Sequence, residues 1–184
     1  AKKLNINPKK LLIEYDQKMI KESKEVEAFF NHVIRKQIVE ANHLVGRYSK
    51  YRFIDESNDN FYKVIKYLLE FYLGTHTRFF MIDQIKELIN YPRIIKNQLI
   101  NDWELFGLGI LLEHSERDAS EILDKLISLE SENMLYASSQ SLFSNLQIYF
   151  WLVKNLGKQK SYKKVIYFST KAIEICHNHY SFYS

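Results

Sequence analysis

Residues that make tight turns are scarce in this sequence. Five Gly and two Pro occur among 184 residues, about 4 % of the chain where ordinary usage is about 12 %. β-Sandwiches, barrels and propellers need a turn roughly every 8–12 residues, so this scarcity argues against them. The hydrophobic fraction of 46 % and the charged fraction of 26 % are typical of a folded globular protein. We therefore predict an all-α protein built from long helices.

Cysteine and long apolar runs are also nearly absent. Cys176 is the single cysteine, which excludes an internal disulfide and the paired cysteines of redox and zinc motifs. No apolar run reaches the roughly 18 residues of a membrane span, and no secretory signal pattern opens the chain. These absences predict a cytoplasmic protein without membrane association. The chain starts at Ala1 and ends at Ser184 without a stop signal, which we interpret as a fragment of something longer.

Positive charge is concentrated near the N-terminus. Residues 1–52 carry 12 Lys and Arg against 6 Asp and Glu, whereas residues 53–184 carry 14 against 16. Such an excess is typical of a segment close to nucleic acid, and it is equally compatible with an ordinary solvated helix. Composition leaves both interpretations open.

Apolar residues at helical spacing predict about eight helices joined by short connections. Pro8 is expected to start a helix because proline loses no hydrogen bond at the first helical position. Gly74 is expected to end a helix, and Thr75 or Thr77 to cap the next one. Residues 57–60, with the sequence Ser-Asn-Asp-Asn, are expected to form a linker because all four are turn or capping residues.

The predicted helices pair along the chain. A long helix is expected from Glu25, another from Ile94 to Glu113, and the last from Ser161 to Cys176 with Ile166 facing the core. Antiparallel pairs follow at 61–90, 94–130 and 137–176. Pairs of this size resemble tetratricopeptide-like hairpins, which stack into a superhelix with a concave face. We therefore predict a right-handed superhelix of such hairpins.

Motifs that carry catalysis are missing from the sequence. Gly107 and Gly109 are followed by Leu112 where a dinucleotide-binding fingerprint needs a third glycine. No phosphate-binding loop, nucleophile elbow or metalloprotease motif occurs, so the two glycines predict close helix packing. The six histidines lack metal-ligand spacing, and the acidic residues from Glu113 to Glu121 are expected to favour a helix N-terminus rather than to transfer protons. The sequence predicts neither an enzyme nor a metal or other cofactor.

Aromatic residues are abundant and include 13 Tyr, which keep a polar tip. On a helical scaffold, a surplus of Tyr suits a groove that holds an apolar or extended ligand. Asn145 and Tyr149 are i, i+4 neighbours on one predicted helix. An Asn amide both donates and accepts, so it can hold the backbone of an extended peptide. The alternative, an ordinary surface asparagine, is favoured by the sequence pattern alone.

Three stretches of the sequence resemble a known family. Residues 1–12, Ala-Lys-Lys-Leu-Asn-Ile-Asn-Pro-Lys-Lys-Leu-Leu, resemble the last segment of a Cro-type helix-turn-helix domain. The following residues are similar to the C-terminal region of the Rgg/MutR/GadR transcriptional regulators of Gram-positive bacteria. The most recognisable stretch is Asn101–Phe106, Asn-Asp-Trp-Glu-Leu-Phe, and Ser144-Asn145-Leu146 resembles another.

The resemblance implies a dimeric cytoplasmic transcriptional regulator. Residues 1–16 would be the tail of an N-terminal DNA-binding domain, and residues 17–184 a tetratricopeptide-like regulatory and dimerisation domain, truncated at its C-terminus. Such a domain binds a short signalling peptide in its concave groove. The resemblance places Asn145 where the family has a groove asparagine, and helical spacing adds its neighbour Tyr149 as a predicted peptide-binding residue. Glu113 and His114 fall near another groove asparagine of the family, so the sequence departs from the pattern there, and we predict that this pair also contacts the peptide. The alternative is a protein-interaction scaffold that senses no peptide.

Dimerisation implies an exposed apolar surface. The end of the last predicted helix, with Tyr180, Phe182 and Tyr183, is the expected contact. Residues that bind DNA cannot be assigned, because most of the DNA-reading helix would lie upstream of Ala1.

Overall fold

A computed structural model describes residues 8–48, 52–131 and 142–181. These ranges contain eight α-helices, one short 3-10 helix and no strand, which confirms the all-α prediction. The chain forms two compact units, residues 1–69 and 70–184. The helices are α1 (Pro8–Ile34), α2 (Ile38–Tyr48), α3 (Glu56–Tyr72), α4 (Arg78–Leu88), α5 (Asp102–His114), α6 (Ala119–Ser131), α7 (Leu142–Lys158) and α8 (Tyr162–Ser181), with the 3-10 helix at Arg93–Lys96.

The first unit is built on α1, α2 and most of α3. Aromatic rings of α1 and α3 form its core, with ring centroids 5.2 Å apart for Phe29 and Tyr62 and 5.7 Å apart for Phe30 and Phe61. Helix α1 begins at Pro8 as predicted, but it continues through Glu25, where the sequence predicted a separate helix. The predicted domain boundary between residues 16 and 17 falls within this helix and remains a prediction.

The predicted linker at residues 57–60 is wrong, because these residues form the first turns of α3. The backbone N–H of Ser57 donates to the carboxylate of Asp55 at 3.1 Å, so Asp55 acts at the start of the helix. The error has a physical cause. Asn, Asp and Ser are favoured in turns and at helix N-termini for the same reason, since their side chains bond to nearby backbone groups.

The connection between α3 and α4 follows the prediction. Gly74 adopts a φ of +70°, in the left-handed region that favours glycine. The Thr77 hydroxyl accepts a hydrogen bond from the backbone N–H of Phe80 at 3.2 Å and caps α4. The sequence therefore located both the end of one helix and the start of the next.

The single helix predicted from Ile94 to Glu113 is wrong. A 3-10 helix occupies Arg93–Lys96, and α5 begins only at Asp102. The carboxylate of Glu104 accepts from the backbone N–H of Asn101 at 2.7 Å, which is half of a capping box. The stretch Asn-Asp-Trp-Glu is therefore a helix start.

Helices α5 and α7 pack closely through Gly109. A Cβ atom on Gly109 would lie 2.7 Å from a ring carbon of Trp151, and one on Gly107 would lie 2.8 Å from Ile89. This confirms the predicted packing role of both glycines. One turn after Gly109, Glu113 pairs with Lys154, which follows Trp151 along α7. The two helices therefore run in the same direction.

Helix α8 packs on α7 through Phe168, whose ring centroid lies 6.1 Å from that of Tyr149. The prediction that Ile166 faces the core is wrong, since 67 % of its side chain is exposed. Helix α8 also extends to Ser181, beyond the predicted end at Cys176. The residues proposed for dimer contacts are not tested: the side chain of Tyr180 is not described, and Phe182 and Tyr183 lie outside the described residues.

Candidate functional site

Two of the predicted peptide-binding residues, Glu113 and His114, lie at the C-terminal end of α5. The Glu113 carboxylate accepts a hydrogen bond from the ammonium of Lys154 on α7 through Oε1. Its other oxygen, Oε2, is buried and has no hydrogen-bond partner among the described residues. An unsatisfied buried carboxylate oxygen is costly. The Glu113 carboxylate therefore retains an unfilled acceptor that is closed to solvent.

The His114 ring packs edge-on against Phe71, with ring centroids 5.4 Å apart. Burial lowers the pKa of His114 below its ordinary value of 6.5, and although the charge of Glu113 opposes this shift, Arg78 and Lys154 add to it. At neutral pH the imidazole is therefore uncharged, with one donor and one acceptor nitrogen. It can bond to a peptide group without bringing a charge.

Tyr72 belongs to the same cluster. Burial raises the pKa of its hydroxyl above 10, and the nearby charge of Glu113 raises it further. The hydroxyl therefore stays protonated over the physiological range. The end of α5 presents an ion pair, a neutral imidazole and a tyrosine hydroxyl within one unit of the chain.

The other two predicted residues, Asn145 and Tyr149, lie on α7. Asn145 is only 9 % exposed, so the surface-asparagine alternative is wrong. Its amide makes no hydrogen bond to any group in the described part of the chain. Tyr149 is fully buried and packs against Phe168 of α8. Tyr149 is therefore a core residue of the α7–α8 pair.

The four predicted residues form two separate pairs. Lys154, the partner of Glu113, follows Asn145 by nine residues, which is about 13 Å along a helix axis. The two pairs are therefore too far apart for one short ligand side chain to contact both. The peptide-binding role of the four residues remains a prediction.

Sequence reasoning missed an exposed apolar stripe on α7. Leu146, Phe150 and Val153 are spaced at i, i+4 and i+7 and therefore share one face of the helix. The Phe150 side chain is 59 % exposed, and the other two are half-buried. The opposite face of α7 is also apolar, but it is buried. The helix therefore has apolar residues on both its exposed and its buried side. The stripe, defined as Leu146, Phe150 and Val153, is available for contact with another molecule.

Two of the acidic residues from Glu113 to Glu121 lie at the N-terminus of α6 as predicted, whereas Glu113 lies at the C-terminal end of α5 and pairs with Lys154. Asp118 immediately precedes α6, and Glu121 lies in its first turn. Asp118 accepts from Lys86 and from the Ser115 hydroxyl, each at 2.5 Å. Glu121 accepts from the hydroxyl of Tyr91 at 2.8 Å. These carboxylates join α6 to the preceding elements of the same unit.

The fold and this site define the described part of the chain as all-α, with buried polar groups and an exposed apolar stripe on α7. Within the described ranges, no helix is both long and apolar enough to cross a membrane, and no cluster of three metal-ligating side chains occurs. Comparison with protein-family models, with curated proteins and with solved structures gives no match. The resemblance to the Rgg/MutR/GadR regulators therefore remains a prediction.

Proposed function

We propose that this chain is the regulatory part of a cytoplasmic transcriptional regulator similar to the Rgg/MutR/GadR family. Its tetratricopeptide-like hairpins form a right-handed superhelix that binds a short signalling peptide. The domain dimerises and controls an N-terminal DNA-binding domain. Peptide binding favours one arrangement of the hairpins, and this arrangement changes how the dimer presents its DNA-binding domains.

The observation that carries this proposal is the exposed stripe on α7. Phe150 is 59 % exposed although it lies in the middle of a helix whose other face is buried. Exposed apolar side chains in a row on one helix are typical of a surface that contacts another molecule. A short apolar peptide laid along this helix face would cover them.

One end of the stripe carries groups suited to a peptide backbone. Lys154 follows Val153 along α7 and pairs with the carboxylate of Glu113 on α5. Asn145 does not extend the stripe, because it lies on the buried face of α7 that also carries Tyr149. The ion pair would fix the register of an extended chain, while the stripe would supply the apolar contact.

The parallel course of α5 and α7 supports the superhelix. Stacked hairpins place the first helix of each pair beside the first helix of the next, and these helices run in the same direction. The close contact at Gly109 and the Glu113–Lys154 pair give α5 and α7 this relationship.

Isothermal titration calorimetry of the full-length protein tests the proposal. The probe is a synthetic copy of the short apolar peptide encoded beside its gene. We expect saturable binding that weakens about tenfold or more in Phe150→Ser, because the substitution removes a large apolar contact. The matched control is Ile166→Ser on α8, which replaces an equally exposed apolar residue and should leave binding unchanged. Equal affinities of the two variants would contradict the assignment of the stripe.

A protein-interaction scaffold is the second candidate. It is favoured by a separate exposed apolar face on α8, where Tyr162, Ile166 and Ile173 are 64 %, 67 % and 57 % exposed. A scaffold would bind a folded partner through this face and would give no heat with any candidate peptide. The absence of a helix-turn-helix segment in the codons upstream of Ala1 would also favour it.

A further inference from the structure

A cavity of about 390 Å³ lies beside the N-terminal half of α4 and the turn between α5 and α6. Its volume is in the range of small-molecule sites, roughly 300–1,000 Å³. Both walls belong to the unit formed by residues 70–184. The side chains that matter for its chemistry are Arg78, Phe79, Ile82 and Asp83 on α4 and Glu116 and Arg117 in the turn.

Charges of both signs line the cavity without neutralising each other. Arg78 and Arg117 supply two guanidinium groups, and Asp83 and Glu116 supply two carboxylates. None of these four side chains forms an ion pair or a hydrogen bond in the described ranges. Across the cavity, Lys86 on α4 and Asp118 in the turn do pair, at 2.5 Å. Arg117 acts on Asp118 through its charge but makes no hydrogen bond to it, so the guanidinium groups of Arg78 and Arg117 and the carboxylates of Asp83 and Glu116 keep hydrogen-bonding capacity for a ligand.

The cavity also has an apolar side. Phe79 is 71 % exposed, which is unusual for a phenylalanine in the first turn of a helix, and Ile82 is buried beside it. The guanidinium carbon of Arg78 lies 5.7 Å from the centre of the Phe79 ring. A cation and an apolar ring are therefore adjacent in the lining of the cavity. His114, which is uncharged at neutral pH, completes the lining.

We propose that this cavity binds a small zwitterion with an apolar body, either a free apolar amino acid or a peptide of two or three residues. A simple anion would be repelled by Asp83 and Glu116, and a simple cation by the two arginines. A zwitterion offers a negative charge to the two arginines and a positive charge to the two carboxylates. Its carboxylate binds the guanidinium groups of Arg78 and Arg117, which suit a planar carboxylate.

The remaining groups complete the recognition. The ammonium group of the ligand binds Asp83 and Glu116, and its apolar side chain covers Phe79 and Ile82. The cavity is separate from the stripe on α7 and shares only His114 with the residues predicted to bind the signalling peptide, so binding of a small zwitterion can be measured with no signalling peptide present. A ligand of this kind would act as a second effector of the same domain.

Calorimetric titration of the full chain with four probes tests the proposal. L-Phenylalanine and leucylleucine carry both charges, 3-phenylpropionate lacks the ammonium group, and phenethylamine lacks the carboxylate. We expect at least one zwitterion to bind, and each singly charged probe to bind about tenfold more weakly or worse, because each loses a charge-assisted contact. The zwitterion that binds with the higher affinity shows whether the natural ligand is a free amino acid or a short peptide.

Variants of the cavity make the test specific. Arg78→Met and Asp83→Asn should each weaken binding of the zwitterion about tenfold. The matched control is Arg93→Met, which removes an exposed arginine outside the cavity lining and should leave binding unchanged. Circular dichroism melting confirms that the variants fold. Failure of both zwitterions to bind, equal binding of 3-phenylpropionate, or an effect of Arg93→Met as large as that of Arg78→Met would overturn the proposal.

Discussion

The carboxylate of Glu22, in the middle of α1, accepts hydrogen bonds from the backbone N–H of Ile54, 32 residues further along the chain. The distances are 2.8 Å to Oε1 and 3.1 Å to Oε2, and the N–H of Asp55 adds a third bond at 3.3 Å. Glu22 is fully buried. It thereby holds the segment that leads into α3 against α1, and it satisfies backbone donors that no helix or sheet would satisfy.

Replacement of Glu22 by Gln should destabilise the protein by about 1–3 kcal/mol, because the amide offers one acceptor oxygen and turns an NH₂ group toward backbone donors. The measurement is the free energy of unfolding in urea. Glu27→Gln, on the same helix and with no partner among the described side chains, is the control and should change little. Equal losses in the two variants would mean that the Ile54 contact contributes nothing.

Gly109→Ala should destabilise the protein, although alanine is the better helix former. The added Cβ would lie 2.7 Å from the Trp151 ring, and we expect overpacking to cost about 1–3 kcal/mol. Gly157→Ala, on α7 with open space around the new Cβ, should be neutral or stabilising by about 0.5–1 kcal/mol. Thermal unfolding measures the stability of both variants relative to the parent protein. A Gly109→Ala protein as stable as the parent would contradict the close packing of α5 on α7.

The stability should depend on the ionisation of Asp118 at acid pH. Burial acts to raise the pKa of Asp118, but hydrogen bonds from Lys86 and Ser115 outweigh it and lower the pKa below its ordinary value. The folded protein therefore binds this proton less readily than the unfolded chain. The stabilisation is present above the ordinary Asp pKa of about 3.9 and is lost as the pH falls below it.

Unfolding free energies measured over this acid range check the prediction. In the Asp118→Asn variant, the free energy of unfolding should fall less steeply below about pH 4 than it does in the parent protein. Asp124→Asn, at an exposed position on α6, is the control and should leave the pH dependence of the unfolding free energy unchanged. A parent and an Asp118→Asn variant with parallel curves would show that the pKa is not lowered.

His114 should titrate below the ordinary histidine pKa of about 6.5, since burial disfavours its charged form. Because the folded pKa is lowered, the contribution of the neutral ring to stability is present above about pH 6.5 and is lost as the pH falls below that value. The NMR chemical shifts of the imidazole over a pH series give the midpoint, and His114→Gln identifies the signal. Lys154→Met should raise the midpoint because it removes a neighbouring positive charge, whereas Lys163→Met should not. A midpoint at or above 6.5 would contradict the burial of the ring.

Several helix ends could be predicted from the sequence because their causes are local. Pro8 starts α1, Gly74 takes a left-handed conformation after α3, and Thr77 caps α4 through its own hydroxyl. Each depends on the conformational preference of one residue and its nearest neighbours. The capping contact between Glu104 and the backbone of Asn101 is equally local.

The candidate site was harder to predict because contacts between distant segments create it. The contact of His114 with Phe71 and the pairing of Glu113 with Lys154 join residues about forty positions apart. Phe150 and its neighbour Tyr149 are both aromatic, yet one is exposed and the other buried. Which face of an apolar helix is covered depends on the helices that pack against it, and no periodicity within α7 contains that information.

Hydrogen–deuterium exchange of the full-length protein, with and without a saturating amount of the synthetic signalling peptide, tests the proposed function most directly. With the signalling peptide bound, our account predicts slower exchange in the proteolytic fragments that cover α7 around Phe150 and the end of α5 that carries Glu113. Exchange in α2 should stay the same. Unchanged exchange throughout α7 while the peptide is bound would contradict the account.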